Sequence, residues 1–244
     1  MSGRLGKDVA RVARRRLGSQ PFEVTPSAAR LTESLRDIGY DFPTAIADLV
    51  DNSIAAQAER VDIDIAFDGE RSWVAVADDG CGMTANGLLE ALRYGTRRSY
   101  DTGDLGRYGL GLKTAPLSQC RRVTVATRRS QVNRLITTRT LDLDVVAKWD
   151  AWLVIEDEPS DAVEIAKSKL ADNPGTVVVW EKLDRILPEG RPDGGWAKRR
   201  MDNYAAKTAS HLGMVFHRFL EGTAETGRLT ITVNGEKVRP WNPF

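Results

Sequence analysis

Apolar residues recur at helical spacing in two consecutive segments of the chain. Between Ser27 and Ile38 they fall on one face, which predicts a first helix. A second helix is predicted to begin at Asp41, a capping residue placed just before Phe42 and Pro43. Its buried stripe consists of Ile46, Leu49, Val50 and Ile54. The pattern therefore predicts two amphipathic helices in succession.

The pattern then changes to the period of two that is typical of β-strands. Residues 61–67 alternate apolar with polar, Asp68 and Gly69 form a turn, and an apolar run returns from Trp73 to Ala77, which predicts a β-hairpin. Thr84 can cap a helix reaching about Tyr94. Residues 95–113 are rich in Gly, Arg and Tyr without periodicity, which indicates a mobile loop.

The second half of the chain continues with further strands and helices. Strands are predicted at residues 122–128, 135–143, 177–180 and 229–233, a polar helix at 163–170 and a long helix at 201–219. This order predicts an α/β (α+β) two-layer sandwich. Its sheet would be mixed and mainly antiparallel, with the helices on one face.

We divide the chain into a basic arm at 1–25, a main domain at 26–190 and the beginning of a further domain at 191–244. The apolar end at 241–244 would normally be buried, so we expect the chain to stop before that domain is complete. Residues 1–20 hold six Lys or Arg against one Asp. This arm is interpretable as a solvated tail, a contact for nucleic acid or an acidic partner, or an organellar targeting peptide.

Composition narrows the class of protein. The 244 residues are 41% hydrophobic and 28% charged, which excludes disordered, collagenous and disulfide-stapled chains. The net charge of +1 is too balanced for the whole chain to bind polyanions. Two cysteines and two histidines support no zinc site, and no apolar stretch is long enough to cross a bilayer. We expect a cytoplasmic protein without membrane association.

Three groups of polar residues are candidates for a functional site. The first is Asp48, Asp51 and Asn52, which share the helix face opposite the buried stripe. Such oxygen ligands can hold a hard cation and leave one carboxylate free to activate water. The alternative for this grouping alone is a solvated acidic face.

The second grouping is the run from Asp78 to Met83, which follows an apolar strand. Gly80 and Gly82 permit close backbone approach, and a partly buried aspartate can accept a hydrogen bond from an exocyclic amine such as that of adenine. A tight Asp-Gly turn is the alternative.

The third grouping is the glycine-rich run from Gly106 to Lys113, which can direct backbone N–H groups at phosphate. It fits neither the dinucleotide fingerprint nor the P-loop, and Pro116 shortens or kinks the helix that follows.

Together, DLVDN at 48–52, DDGCGM at 78–83, GRYGLGLK at 106–113 and GTVVVW at 175–180 resemble the GHKL ATPases. That superfamily comprises gyrase B, the ninety-kilodalton heat-shock chaperone, histidine kinases and MutL. The glycine-rich run looks most like the MORC branch, here in bacterial form. The resemblance covers about residues 27–185 and implies a Bergerat-type fold that binds ATP and Mg²⁺.

The resemblance also implies a role for each matching residue. Asn52 would bind Mg²⁺, Asp78 would bind the adenine amine together with Thr176, and Asp48 would activate water. The base pocket would be shaped by Gly80, Gly82 and Met83. The phosphates would be wrapped by Gly106, Tyr108, Gly109, Leu110, Gly111, Leu112 and Lys113, within a lid at residues 95–113.

Two positions depart from the family pattern. Asp48 stands where hydrolytic relatives carry glutamate, one methylene longer, and Ala55 stands where the family has a second aspartate. We therefore expect Mg²⁺-dependent ATP binding and slow hydrolysis that drive lid closure and formation of a homodimer, in DNA metabolism or defence, with DNA or DNA-processing proteins as partners. The alternatives are a nucleotide-gated interaction module without hydrolysis and a chaperone-like ATPase.

Overall fold

The structure is a computed structural model that describes residues 24–37, 39–93, 111–129, 135–156, 158–187, 192–224 and 227–243. Within these ranges the helices are α1 (Ala28–Arg36), α2 (Phe42–Ala55), α3 (Ala85–Leu92), α4 (Gly111–Leu117), α5 (Leu143–Trp149), α6 (Asp161–Lys169), α7 (Gly195–Val215) and α8 (His217–Glu221). The strands are β1 (Arg60–Ala66), β2 (Trp73–Asp78), β3 (Arg122–Arg128), β4 (Thr137–Asp142), β5 (Ile155–Glu156), β6 (Gly175–Glu181), β7 (Thr230–Val233) and β8 (Glu236–Lys237).

These strands form one mixed sheet in the order β5-β4-β3-β6-β2-β1-β7-β8. Every neighbouring pair is antiparallel except β1 with β7, which is parallel. The predicted fold class, an α/β sandwich on a mainly antiparallel sheet, is confirmed.

Helices cover the sheet on two faces. Most of them contribute to one large apolar core, whereas α6 packs on the opposite face through Ala162 and Ala166. The reason lies in β6, where Val178 and Trp180 face the large core while Val177 and Val179 face α6. A strand that is apolar at every position is typical of burial on both sides. The prediction that helices lie on one face therefore holds for the others but not for α6.

Helix α2 lies at the centre of the large core. Its start is fixed by Asp41, whose carboxylate accepts a hydrogen bond from the Thr44 N–H at 3.0 Å, with Pro43 in the first turn. Ile46 and Val50 are fully buried, as predicted. The helix packs against both α4 and α7. Helix α2 consequently lies beside α4, whose first residues are the last ones of the glycine-rich run.

The part after residue 191 continues the same sheet. β7 pairs with β1, and the Asn234 side chain accepts a hydrogen bond from the Ile65 N–H at 2.7 Å, which prolongs this ladder. Leu212 and Phe216 belong to the large core. The long helix begins at Gly195, earlier than predicted, and ends at Val215. The assignment of 191–244 to a further domain stays a prediction.

The strand predicted at residues 135–143 ends at Asp142, because the Asp142 carboxylate caps α5 by accepting a hydrogen bond from the Asp144 N–H. None of the helices in the described ranges is long and apolar enough to cross a membrane.

Candidate functional site

Asp78 is the last residue of β2 and lies directly opposite Thr176 of β6. Its Oδ1 accepts hydrogen bonds from the backbone N–H groups of Gly80 and Thr176, at 3.0 and 3.1 Å. Its Oδ2 lies 3.1 Å from the hydroxyl of Ser53, on α2. The carboxylate is thus held in one orientation by two strands and a helix.

Burial raises the pKa of Asp78 to about 6, although its hydrogen bonds with Gly80, Ser53 and Thr176 oppose the shift. A partly desolvated carboxylate attracts a further N–H donor strongly, since little water competes for it. Oδ1 already has two donors, so Oδ2 is the atom with capacity for a ligand. The position suits recognition of an exocyclic amine.

Two glycines in the loop after β2 are required by close backbone contacts. A Cβ on Gly80 would lie 2.8 Å from the carbonyl oxygen of Ala56, and one on Gly82 would lie 2.3 Å from that of Arg128. Gly82 also has a φ of +62°, which favours glycine. The loop therefore lies directly against the end of α2 and the end of β3, and larger residues would displace it.

Thr127 joins this loop to β6. The Met83 N–H donates to the Thr127 hydroxyl at 2.8 Å, and that hydroxyl donates to the carbonyl oxygen of Gly175 at 3.0 Å. It also lies 3.4 Å from the hydroxyl of Thr176. Thr127 was missed by the sequence analysis, because its strand pattern gave no indication of which residue it would meet.

The predicted acidic face of α2 is present and begins five residues before Ser53. Asp48, Asp51 and Asn52 are all partly buried. Burial raises the pKa of Asp48, opposed by its hydrogen bond with Tyr40, and burial together with the charge of Asp48 raises the pKa of Asp51 to about 6. Partial burial and the raised pKa values argue against the alternative interpretation of this grouping, a solvated acidic helix face.

Tyr40 is a second residue that the sequence analysis missed. Its hydroxyl hydrogen-bonds with the side chains of Asp48 and Thr114, so it links α2 to α4. The Gln119 amide donates to the Tyr40 carbonyl oxygen at 2.7 Å, which anchors the backbone. Tyrosine in an inter-helix segment carries no periodic signal, and its contact could be recognised only in three dimensions.

The glycine-rich run lies partly outside the described residues. Gly106, Tyr108, Gly109 and Leu110 fall there, as does most of the predicted lid. Gly111, Leu112 and Lys113 form the first turn of α4, and Leu112 packs against the large core. Pro116 lies inside α4, which ends one residue later, so the predicted short helix is present. Through α4, the end of this run is adjacent to α2.

The polar face of α2 fits a cation that receives only part of its coordination shell from the protein. No cluster of three or more His, Cys, Asp or Glu able to hold a metal occurs among the described residues. The Asn52 Nδ2 is buried and makes no hydrogen bond within the described part of the chain. Mg²⁺ typically takes one or two protein oxygens and fills the rest with phosphates and water, so a single amide oxygen from Asn52 fits it.

Comparison with known protein families assigns residues 40–176 to the family described as Histidine kinase-, DNA gyrase B-, and HSP90-like ATPase. The match covers more than half of the 244 residues and includes α2, the loop after β2 and Thr176. The chain belongs to this ATPase family, which confirms the predicted GHKL superfamily. The MORC branch stays a prediction. A comparison with curated individual proteins found no match.

Proposed function

We propose that the protein binds ATP with Mg²⁺ and hydrolyses it slowly, and that this cycle closes the lid and drives homodimerisation. The observation that carries the proposal is the Asp78 carboxylate, held by Gly80, Thr176 and Ser53 at the end of a buried strand. We place the activity in DNA metabolism or defence and in the cytoplasm, as in MORC-like and MutL-like proteins, on the basis of the family resemblance.

In this proposal Asp78 accepts a hydrogen bond from the adenine amine through Oδ2. Thr176 is directly across the strand pair, where its hydroxyl can share a water molecule with the base. The glycines and Met83 form the wall beside the base, and the backbone from Gly106 to Lys113 wraps the phosphates. The raised pKa of Asp78 supports this role, because it reflects a desolvated pocket in which hydrogen bonds to a ligand are strong.

Asn52 would hold Mg²⁺ through its amide oxygen. The cation would neutralise phosphate charge and orient the phosphates. The Asn52 Nδ2 is buried without a hydrogen-bond partner in the described residues. It is a donor and cannot bind the cation, so in this proposal it donates to a phosphate oxygen beside the Mg²⁺ that the amide oxygen holds.

Asp48 would orient and deprotonate the attacking water. Its raised pKa makes the carboxylate a stronger base, and Tyr40 holds it in place. Aspartate is one methylene shorter than glutamate, which withdraws the carboxylate by about 1.5 Å, and a displacement of about 1 Å can reduce a rate about a hundredfold. We therefore expect slow hydrolysis.

A second candidate function is a nucleotide-gated interaction module that hardly hydrolyses ATP. Asp48 itself favours this function. Its side chain is shorter than glutamate, and its carboxylate already hydrogen-bonds with Tyr40. In that case ATP would order a partner surface and turnover would have no role.

One pair of measurements distinguishes the two functions: ATP binding by calorimetry and phosphate release by the same protein preparation, with and without Mg²⁺. The Asp48→Asn variant should bind ATP normally and release no phosphate if the protein is an ATPase. Asp202→Asn, an exposed acidic residue on α7, is the matched control and should change neither property. Unchanged slow phosphate release from Asp48→Asn would contradict the role of Asp48. Absence of ATP binding by the unmodified chain would end both proposals.

A further inference from the structure

The outward side of α7 carries a row of basic and aromatic residues that the ATP site does not use. Ala197, Met201, Thr208 and Leu212 turn inward and are buried. The outward row, which we call the α7 basic face, consists of Trp196, Arg199, Arg200, Asn203 and Lys207. These positions recur at spacings of three and four residues, so they align along about 17 Å of helix.

The cations of this face have no acidic partners in the described part of the chain. Elsewhere buried and half-buried arginines are paired, for example Arg36 with Asp184 and Arg122 with Glu158. Arg199, Arg200 and Lys207 appear in none of the ion pairs found among the described residues. This concentration of charge contrasts with the net charge of +1 for the whole chain.

The nearest acidic residue on α7 does not neutralise the face. Asp202 is the one acidic residue between positions 194 and 220. It stands three residues after Arg199, beside the edge of the face, but it forms no ion pair among the described residues and lines a groove with Ala205 and Ala209. The α7 basic face therefore carries three cations against one neighbouring carboxylate of its own helix.

An aromatic stack stiffens one end of the face. The Arg200 guanidinium lies 5.3 Å from the ring centre of Trp196 and 5.7 Å from that of Tyr204. Despite this contact, 54% of Trp196 remains exposed. Cation–π contacts hold the side chains in place, so less entropy is lost when the rings and cations meet a ligand.

A cleft adjoins the face. It has a volume of about 490 Å³. Tyr204 and Lys207 line it together with Tyr40, two arginines and two acidic residues, namely Arg36, Arg185, Asp37 and Asp41. Arg36 is paired with Asp184 and Arg185 with Asp37, so the cleft adds aromatic rings beside the row on α7 but no unpaired arginine. Aromatic rings thus continue from the helix into a depression large enough for a planar group.

We propose that the α7 basic face binds single-stranded nucleic acid. The cations would contact successive phosphates, and a base would stack on the exposed part of Trp196. Proteins that bind single strands combine a cationic track with aromatic stacking in this way. The proposal gives the DNA-related part of the proposed function a location, but it rests on this surface alone and requires no ATP.

The test is fluorescence anisotropy of a labelled 12-nucleotide oligo(dT) with the full chain, without nucleotide, over a range of salt concentrations. Trp196→Ala should weaken binding about 5- to 150-fold, the range for loss of one stacked base. Trp149→Ala is the matched control, since Trp149 is also exposed beneath a cation, Lys148, and it should bind like the unmodified chain.

A second pair of variants tests the charges. Arg199→Gln with Lys207→Gln should lower the slope of log affinity against log salt by about 1.4, the value for two phosphate contacts on a single strand. Arg218→Gln with Lys237→Gln removes the same charge from other exposed positions and should leave the slope unchanged.

Three results would overturn the proposal. One is a Trp196→Ala variant that binds as tightly as Trp149→Ala. Another is an equal salt slope in both charge variants, which would assign binding to another surface such as the basic arm. The third is tighter binding of polyglutamate than of oligo(dT), which would identify the partner as an acidic protein. None of these results would affect the proposed ATP site, because the assay contains no ATP.

Discussion

Asp78→Asn is expected to stabilise the nucleotide-free protein while it weakens ATP binding. The asparagine Oδ1 can keep the hydrogen bonds from the N–H groups of Gly80 and Thr176. Its Nδ2 would replace the Oδ2 that lies 3.1 Å from the Ser53 hydroxyl. That hydroxyl has one proton and also lies 3.0 Å from the Leu49 carbonyl oxygen, so it can donate to Leu49 and accept from the asparagine. The groups that now hydrogen-bond with Asp78 therefore all keep a partner.

The expected gain in the free energy of unfolding follows from the pKa of Asp78, which burial raises from about 4 to about 6. Between these values the native state binds the proton more tightly than the unfolded chain does, so the free energy of unfolding falls as the pH rises through this window. Two pKa units correspond to roughly 3 kcal/mol, all of it present as a penalty above about pH 7. Asparagine does not ionise, and Asp78→Asn removes this penalty.

Urea unfolding of the full chain at several pH values measures the effect. The gain in the free energy of unfolding should reach up to about 3 kcal/mol at pH 8, fall to about half at pH 5 and vanish below about pH 3. Asp51 also has a raised pKa, but it is present in both proteins and cancels in the comparison. ATP binding should weaken at least tenfold, because a charged acceptor is replaced by a donor. A gain independent of pH, or a loss of stability at pH 8, would refute the reasoning.

Two further variants test the supports of the site. Tyr40→Phe should lower the rate of phosphate release about tenfold with little change in ATP affinity, because the hydroxyl positions Asp48; equal losses in rate and affinity would contradict a positioning role. Gly175→Ala should destabilise the protein by about 1–3 kcal/mol in thermal unfolding, since its φ is +146° and its Cβ would lie 1.9 Å from the Asp78 carbonyl oxygen. Gly195→Ala, with no atom within 4 Å of its Cβ, is the control and should be neutral.

Much of the site could be predicted because its parts are local in sequence. A helix with apolar residues at fixed spacing necessarily places Asp48 and Asn52 on the opposite side, and α2 begins at its predicted cap. The end of β2 likewise follows from an apolar run that stops at Asp78. Local spacing determines such features because helix and strand geometry repeat regularly along the chain.

The remaining features were decided by packing between distant segments. Nothing in the strand pattern shows that Thr127 joins Met83 to Gly175, or that Tyr40 meets Asp48. Packing between distant segments also decides the position of α6 on the second face of the sheet and the parallel pairing of β7 with β1.

The sequence alone thus determined the class of fold, the polar face of α2 and the end of β2, because each depends on neighbours a few residues away. Only the tertiary structure decided which side chains hold Asp78 and Asp48 and how strongly burial shifts their pKa values. Desolvation depends on the sum of all surrounding atoms, most of which come from elements far apart along the chain.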